Sequence, residues 1–189
     1  MHHSVNVGYS NNIIRDCIFL SYMCILGIDE IDYTKDYFKE ESGHMSFQKI
    51  DKEDTLVPQG RECILVYGFG GKDYVKLKSF CAMIGVRDII QVDGDMLGEK
   101  VQNILEGSIT KNECGEAPTD RAIILNAFSG QRLHAFLGNL KKAGITRPLM
   151  ATVTPTSIKW TVLDLITELQ REREAIAKSM QALHEDGDE

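Results

Sequence analysis

The sequence predicts an α/β protein, in which two βαβα repeats form one small, doubly wound, mainly parallel four-stranded sheet with a long C-terminal helix. Three observations predict this fold. A pattern of strand, turn, amphipathic helix, strand and helix runs from Arg121 to Leu169, and a weaker copy of it stands upstream. The helical spacing of apolar residues then continues beyond Leu169.

The upstream copy aligns with the downstream copy when Ile64 is placed on Ile123, an offset of 59 residues. In this register Gly71 meets Gly130, so the glycine turn that follows the first strand falls at the same place in both copies. The alignment predicts an internal repeat. The chain is then divided into an N-terminal extension, a first repeat, a linker, a second repeat with the long helix, and an acidic tail, with the boundaries 1–60, 61–106, 107–120, 121–183 and 184–189.

Each repeat begins with a short apolar run, which is typical of a strand buried on both faces. A glycine-containing turn and an amphipathic helix follow, and each helix ends at a glycine in front of an aliphatic residue. A second short strand and a second helix complete the unit. The predicted strands are Cys63 to Tyr67, Ile89 to Val92, Ala122 to Leu125 and Leu149 to Val153.

The crossover between parallel strands is nearly always right-handed. If the first strands of the two repeats lie side by side and parallel, the strand order is 2-1-3-4 and the first helices of the repeats cover opposite faces. Both glycine turns then lie at the carboxyl ends of the central strands, where open α/β sheets bind ligands. The residues of this predicted cleft are Gly68, Gly70, Gly71, Ser129 and Gly130.

The turn residues also have a purely structural explanation, because a tight turn from strand to helix needs glycine. The run Gly68 to Gly71 lacks the spacing of a dinucleotide fingerprint and the lysine of a P-loop. Ser129 is expected to cap the helix that follows it. We predict no catalytic residue, no metal ligand and no cofactor.

The last helix is predicted to run from Pro155 to about Leu183, roughly 40 Å, which is longer than a four-stranded sheet can cover. Its end is therefore expected to project and to bind a protein partner or a second copy of the chain. Phe80, Met83 and Trp160 are expected to lie off the buried faces of their helices. The predicted interaction residues are Phe80, Met83, Trp160, Leu169, Ile176, Met180 and Leu183.

The second repeat, and more faintly the first, resembles the bacterial family called domain of unknown function 3783. The likeness covers roughly residues 121–177 and is carried by the turn ILNAFSG, the helix stop from Leu140 to Ile145, the run TVTPT, Trp160 and the helix from Glu168 to Glu174. The resemblance implies a compact α/β module and assigns no activity. The first repeat lacks the TPT run and the tryptophan.

The remaining composition excludes several classes of protein. The net charge is −7 and no basic face is present, which argues against nucleic acid as a partner. The apolar run Cys17 to Ile28 is too short to span a membrane. Five cysteines without paired spacing predict a reducing compartment, the cytoplasm or an organelle such as a plastid. The first 44 residues are expected to be a poorly ordered appendage or leader, or to dock on the core as a helix, and Met45 is as reasonable a start as Met1.

Two functions follow from these observations. The preferred hypothesis is a non-catalytic interaction or regulatory module that uses the C-terminal helix. The alternative is a small-molecule or nucleotide-binding protein, enzymes included, that uses the cleft between the two glycine turns.

Overall fold

A computed structural model describes residues 59–110 and 115–185, with the side chains of the last helix described through residue 178. Strand, helix, strand, 3-10 turn and helix follow one another twice along the chain. The elements are β1 (Cys63–Tyr67), α1 (Gly71–Met83), β2 (Ile89–Val92), a turn (Gly94–Met96), α2 (Val101–Glu106), β3 (Ala122–Asn126), α3 (Gly130–Leu140), β4 (Leu149–Thr152), a turn (Ser157–Lys159) and α4 (Val162–Glu185). The expectations on residues 1–58, on Cys114 and on the tail after residue 185 lie outside the described residues.

The four strands form one sheet in the order β2-β1-β3-β4, as predicted. The outer pairs β1/β2 and β3/β4 are parallel. The central pair is antiparallel, with Cys63 opposite Asn126 and Tyr67 opposite Ala122. The sheet is thus mostly parallel, but the parallel central pair of the predicted doubly wound arrangement is wrong.

The reversed central pair also changes which helices share a face. Helices α1 and α3 pack on the same face, where the rings of Phe80 and Phe136 lie edge to face at 5.2 Å between centroids. Helices α2 and α4 cover the other face, where Ile104 and Leu165 belong to one buried cluster. Right-handed crossovers explain this, because reversing one half brings its first helix to the face that holds the first helix of the other half. The prediction that α1 and α3 lie on opposite faces is therefore wrong.

The central strands are buried on both faces, which explains their uninterrupted apolar sequences. Leu65 and Ile124 point towards α2 and α4, whereas their neighbours Ile64 and Ile123 point towards α1 and α3. All four side chains are at most 1% exposed. The core is therefore two apolar layers separated by the sheet.

Helix α4 begins later than predicted, at Val162 instead of Pro155. Trp160 has an extended backbone and precedes the helix. The hydroxyl of Thr161 accepts a hydrogen bond from the Asp164 N–H (3.0 Å), which caps one backbone N–H of the first turn, and it donates one to the Asp164 carboxylate (2.7 Å). At 24 residues α4 is about 36 Å long. No helix of the described part of the chain is long and apolar enough to cross a membrane.

Candidate functional site

The two glycine turns lie at opposite edges of the sheet. Gly68 to Gly71 follows the carboxyl end of β1, and Ser129 and Gly130 follow the carboxyl end of β3. Because β1 and β3 are antiparallel, these two ends point away from each other. The predicted cleft between the turns is therefore wrong, and the structure does not bring its five residues together.

Four of the five turn residues have a local structural role. Gly68 has a left-handed backbone (φ 75°), and a Cβ there would lie 3.2 Å from the Cα of Arg121. Gly71 is also left-handed (φ 51°), whereas Gly70 caps α1 in open space. The hydroxyl of Ser129 accepts a hydrogen bond from the Arg132 N–H at 3.4 Å, which confirms the predicted helix cap. These roles account for the turns without a ligand.

A shallow depression of about 200 Å³ lies between the end of α1 and the start of α3. It is lined by Ile84, Val86, Phe128, Gln131, Arg132 and Ala135. The guanidinium of Arg132 is already paired with the Glu62 carboxylate at 2.7 Å, and it lies 6.0 Å from the centre of the Phe128 ring. The depression is smaller than the roughly 300–1,000 Å³ typical of ligand pockets. Its one charged lining group is engaged, so the depression does not define a ligand class.

The predicted interaction residues divide into exposed and buried ones. Met83 is 73% exposed, as predicted. Phe80 is 3% exposed and packs against Phe136, so its assignment to the surface is wrong. Leu169 is fully buried. Trp160 is half-buried against the α2/α4 cluster. It precedes α4, so the expectation that it lies on the exposed face of that helix does not apply.

Helix α4 is fixed to one edge of the sheet by side chains in its middle. The amide of Gln170 donates a hydrogen bond to Asp120 (2.8 Å), and the guanidinium of Arg173 forms an ion pair with the other Asp120 oxygen (3.0 Å). Arg173 also donates to the backbone carbonyl of Arg147 (3.1 Å). Asp120 precedes β3 and Arg147 lies just before β4, so one turn of α4 ties the starts of both strands together. We call this set of contacts the α4 anchor.

Glu172 lies within the α4 anchor but has none of its contacts. It is 6% exposed, and both carboxylate oxygens are buried without a hydrogen-bond partner. Burial and, to a smaller extent, the negative charge of Glu168 together raise the pKa of Glu172 to about 8. Sequence reasoning missed this residue. Its position in the sequence could have indicated burial. Glu172 follows Leu169 by three residues and precedes Ile176 by four, which places it on the apolar stripe of the helix.

Beyond the α4 anchor the helix continues for twelve residues, from Glu174 to Glu185, about 18 Å. In this distal segment Ile176 is half-buried, while Glu174 and Lys178 are exposed. The backbone of Met180 and Leu183 is helical, and the structure does not describe their side chains. By sequence they continue the spacing that joins Leu169, Glu172 and Ile176.

Other chemistry is sparse in the described ranges. Cys63 and Cys81 are buried, and burial raises their pKa values to about 11 and about 12, which keeps both thiols protonated and poorly nucleophilic. Among residues 59–110 and 115–185 no three histidine, cysteine or carboxylate side chains form a group that would hold a metal ion.

The architecture and the α4 anchor together describe a small α/β arrangement with a long C-terminal helix. Comparison with protein families agrees with the resemblance seen in the sequence. Residues 121–176, from the start of β3 to the α4 anchor, match the family described as a domain of unknown function, DUF3783. Comparisons with curated proteins and with solved structures gave no match.

Proposed function

We propose that this protein is a non-catalytic interaction module, which contacts another protein through its distal α4 segment, residues 174–185. The partner that we propose and test is a second copy of the same chain. The observation that carries this proposal is the length of α4, which continues about 18 Å past the α4 anchor. An isolated helical segment of this length is marginal in water, so it gains stability from a partner surface.

The sequence of the distal segment suits a helix partner. Ile176, Met180 and Leu183 follow one another at spacings of four and three, and thus form one apolar stripe. If two copies pair antiparallel about the middle of the segment, Ile176 of one copy comes next to Leu183 of the other. Apolar residues meeting at both ends of the stripe favour self-pairing.

The size of the contact sets the expected affinity. Twelve residues present a narrow stripe, well below the roughly 1,200 Å² of total area buried in a standard interface. We therefore expect weak self-association, in the micromolar to millimolar range, and not a permanent dimer.

Sedimentation equilibrium of the full chain tests the proposal. Ile176→Glu places a charge in the stripe and is expected to weaken self-association at least tenfold. Ala177→Glu changes the charge in the same way at an exposed neighbour and is the matched control. Equal affinities for the unchanged chain and Ile176→Glu, or a chain that stays monomeric at millimolar concentration, refute self-association through this segment.

We also infer that the two βαβα halves are an internal repeat arranged about an approximate two-fold axis between β1 and β3. The order of elements, the alignment at an offset of 59 residues and the antiparallel centre support this inference. Excision of residues 107–189 checks it, because a duplicated half is expected to pair with itself through the open side of β1. A first half that stays monomeric and unfolded at high concentration contradicts it.

A further inference from the structure

Glu172 is the most unfavourably placed ionisable group in the described part of α4. Its carboxylate is buried from solvent, and neither oxygen accepts a hydrogen bond from the protein. An ionised carboxylate in such surroundings costs several kcal/mol, whereas a neutral carboxyl costs much less. The docked position of α4 therefore favours the protonated form of Glu172.

The charged groups around this part of the helix do not compensate the carboxylate. On α4, Glu168 adds negative charge and is itself paired with Arg171 at 3.4 Å. Arg173 is directed to Asp120, which precedes β3. From the segment before β4, Arg147 contributes its backbone carbonyl to Arg173. Arg173 thus donates its hydrogen bonds to Asp120 and to the Arg147 carbonyl, and its Nε is buried without a partner, so it makes no hydrogen bond to Glu172.

We propose that Glu172 is a proton-linked latch: with its carboxyl neutral, α4 stays docked at Asp120 and Arg147, and loss of the proton releases the helix from Gln170 onwards. This inference rests on the proposed function, because it describes how contact through the distal segment is regulated. A released helix no longer projects in a fixed direction, so binding of the second copy weakens.

The direction of the pH dependence follows from the two pKa values. The docked carboxyl has a pKa of about 8 and the released one returns towards 4.5, so the docked state binds more protons. The contribution of Glu172 to docking is therefore complete below about pH 4.5. Between about pH 4.5 and 8 each unit favours release by up to roughly tenfold, and above about 8 the effect levels off.

Amide hydrogen exchange of the full chain, at a concentration below self-association, tests the latch. After correction for intrinsic exchange, the opening constant of the amides of residues 170–178 is expected to rise about fiftyfold from pH 6 to pH 8 and less than threefold from pH 8 to pH 9. Glu172→Met, which fills the same space without a charge, is expected to remove this dependence. Glu174→Gln changes an exposed carboxylate on the same helix and is expected to behave like the unchanged chain.

Two results overturn the latch: an opening constant that does not change with pH in the unchanged chain, or one that changes equally in Glu172→Met. If Glu172→Met fails to fold, carbon NMR titration of the Glu172 carboxyl decides, and a midpoint near 4.5 in the folded chain refutes the latch. Self-association measured at pH 6 keeps the two proposals apart. Association that persists while opening is independent of pH refutes the latch alone, and opening that depends on pH in a monomeric chain refutes the proposed function alone.

Discussion

Ala127 and Gly68 occupy the same position in the two strand-to-helix turns, and both have a left-handed backbone, with φ of 57° and 75°. A residue with a Cβ pays about 1–2 kcal/mol for this conformation, and glycine does not. Glycine in turn adds about 0.4–1 kcal/mol of chain entropy to the unfolded state. Ala127→Gly is therefore expected to raise the free energy of unfolding by about 0.5–1 kcal/mol.

The reciprocal change, Gly68→Ala, is expected to do the opposite and by more. It adds the conformational cost of about 1–2 kcal/mol. The new Cβ also comes within 3.2 Å of the Arg121 Cα and 3.3 Å of the Asp120 carbonyl oxygen. Both are backbone atoms, which cannot move aside as a flexible side chain would. We expect a loss of at least about 1 kcal/mol after the gain from the unfolded state is subtracted.

Urea unfolding measures both changes, provided that the m value, the slope of the unfolding free energy against urea concentration, is the same in each variant. Gly138→Ala is the control: Gly138 lies inside α3, has no left-handed backbone, and has open space around its Cβ position. This control is expected to stabilise by about 0.5–1 kcal/mol. If Ala127→Gly destabilises the protein while the control stabilises it, the argument from backbone strain is refuted.

Three further tests address other parts of the structure. In urea unfolding, Phe80→Ala is expected to cost about 3–5 kcal/mol and Met83→Ala less than about 0.5 kcal/mol, because only Phe80 is buried; similar costs would contradict the packing of α1. Residue-resolved labelling at pH 8 is expected to spare Cys63 and Cys81 until the protein unfolds, because burial raises their pKa values; fast native labelling would contradict their burial. Thr161→Val removes the α4 cap and is expected to cost about 1 kcal/mol by the same unfolding assay, a loss that Thr156→Val should not reproduce.

The elements were predictable because each depends on local pattern. The short apolar runs located β1 and β3, and the stops at Gly85 and Gly144 located the ends of their helices. The relative direction of β1 and β3 was not predictable in this way. Both strands are apolar on both faces, so their sequences fit a parallel neighbour and an antiparallel neighbour equally well.

The errors at individual residues follow from the same long-range feature. Phe80 was placed off the buried face because a helix that packs on a sheet alone buries a narrow stripe. Helix α1 also packs beside α3, so its buried face widens to include Leu77, Phe80 and Cys81. Glu172 was missed for a different reason, since residue type predicted exposure and position predicted burial, and position determined the outcome.

The antiparallel centre also bears on where a function can reside. In a doubly wound sheet the carboxyl ends of neighbouring central strands share one edge, and the turns that follow them form one crevice. Here each edge receives only one of those turns, and each turn is explained by its own backbone. The edge at the start of β3 and β4 is instead spanned by α4 through Asp120 and Arg147. Helix α4 is anchored at this edge, continues beyond the α4 anchor and carries a buried carboxyl there, and the proposed association and its proposed response to pH both depend on this arrangement.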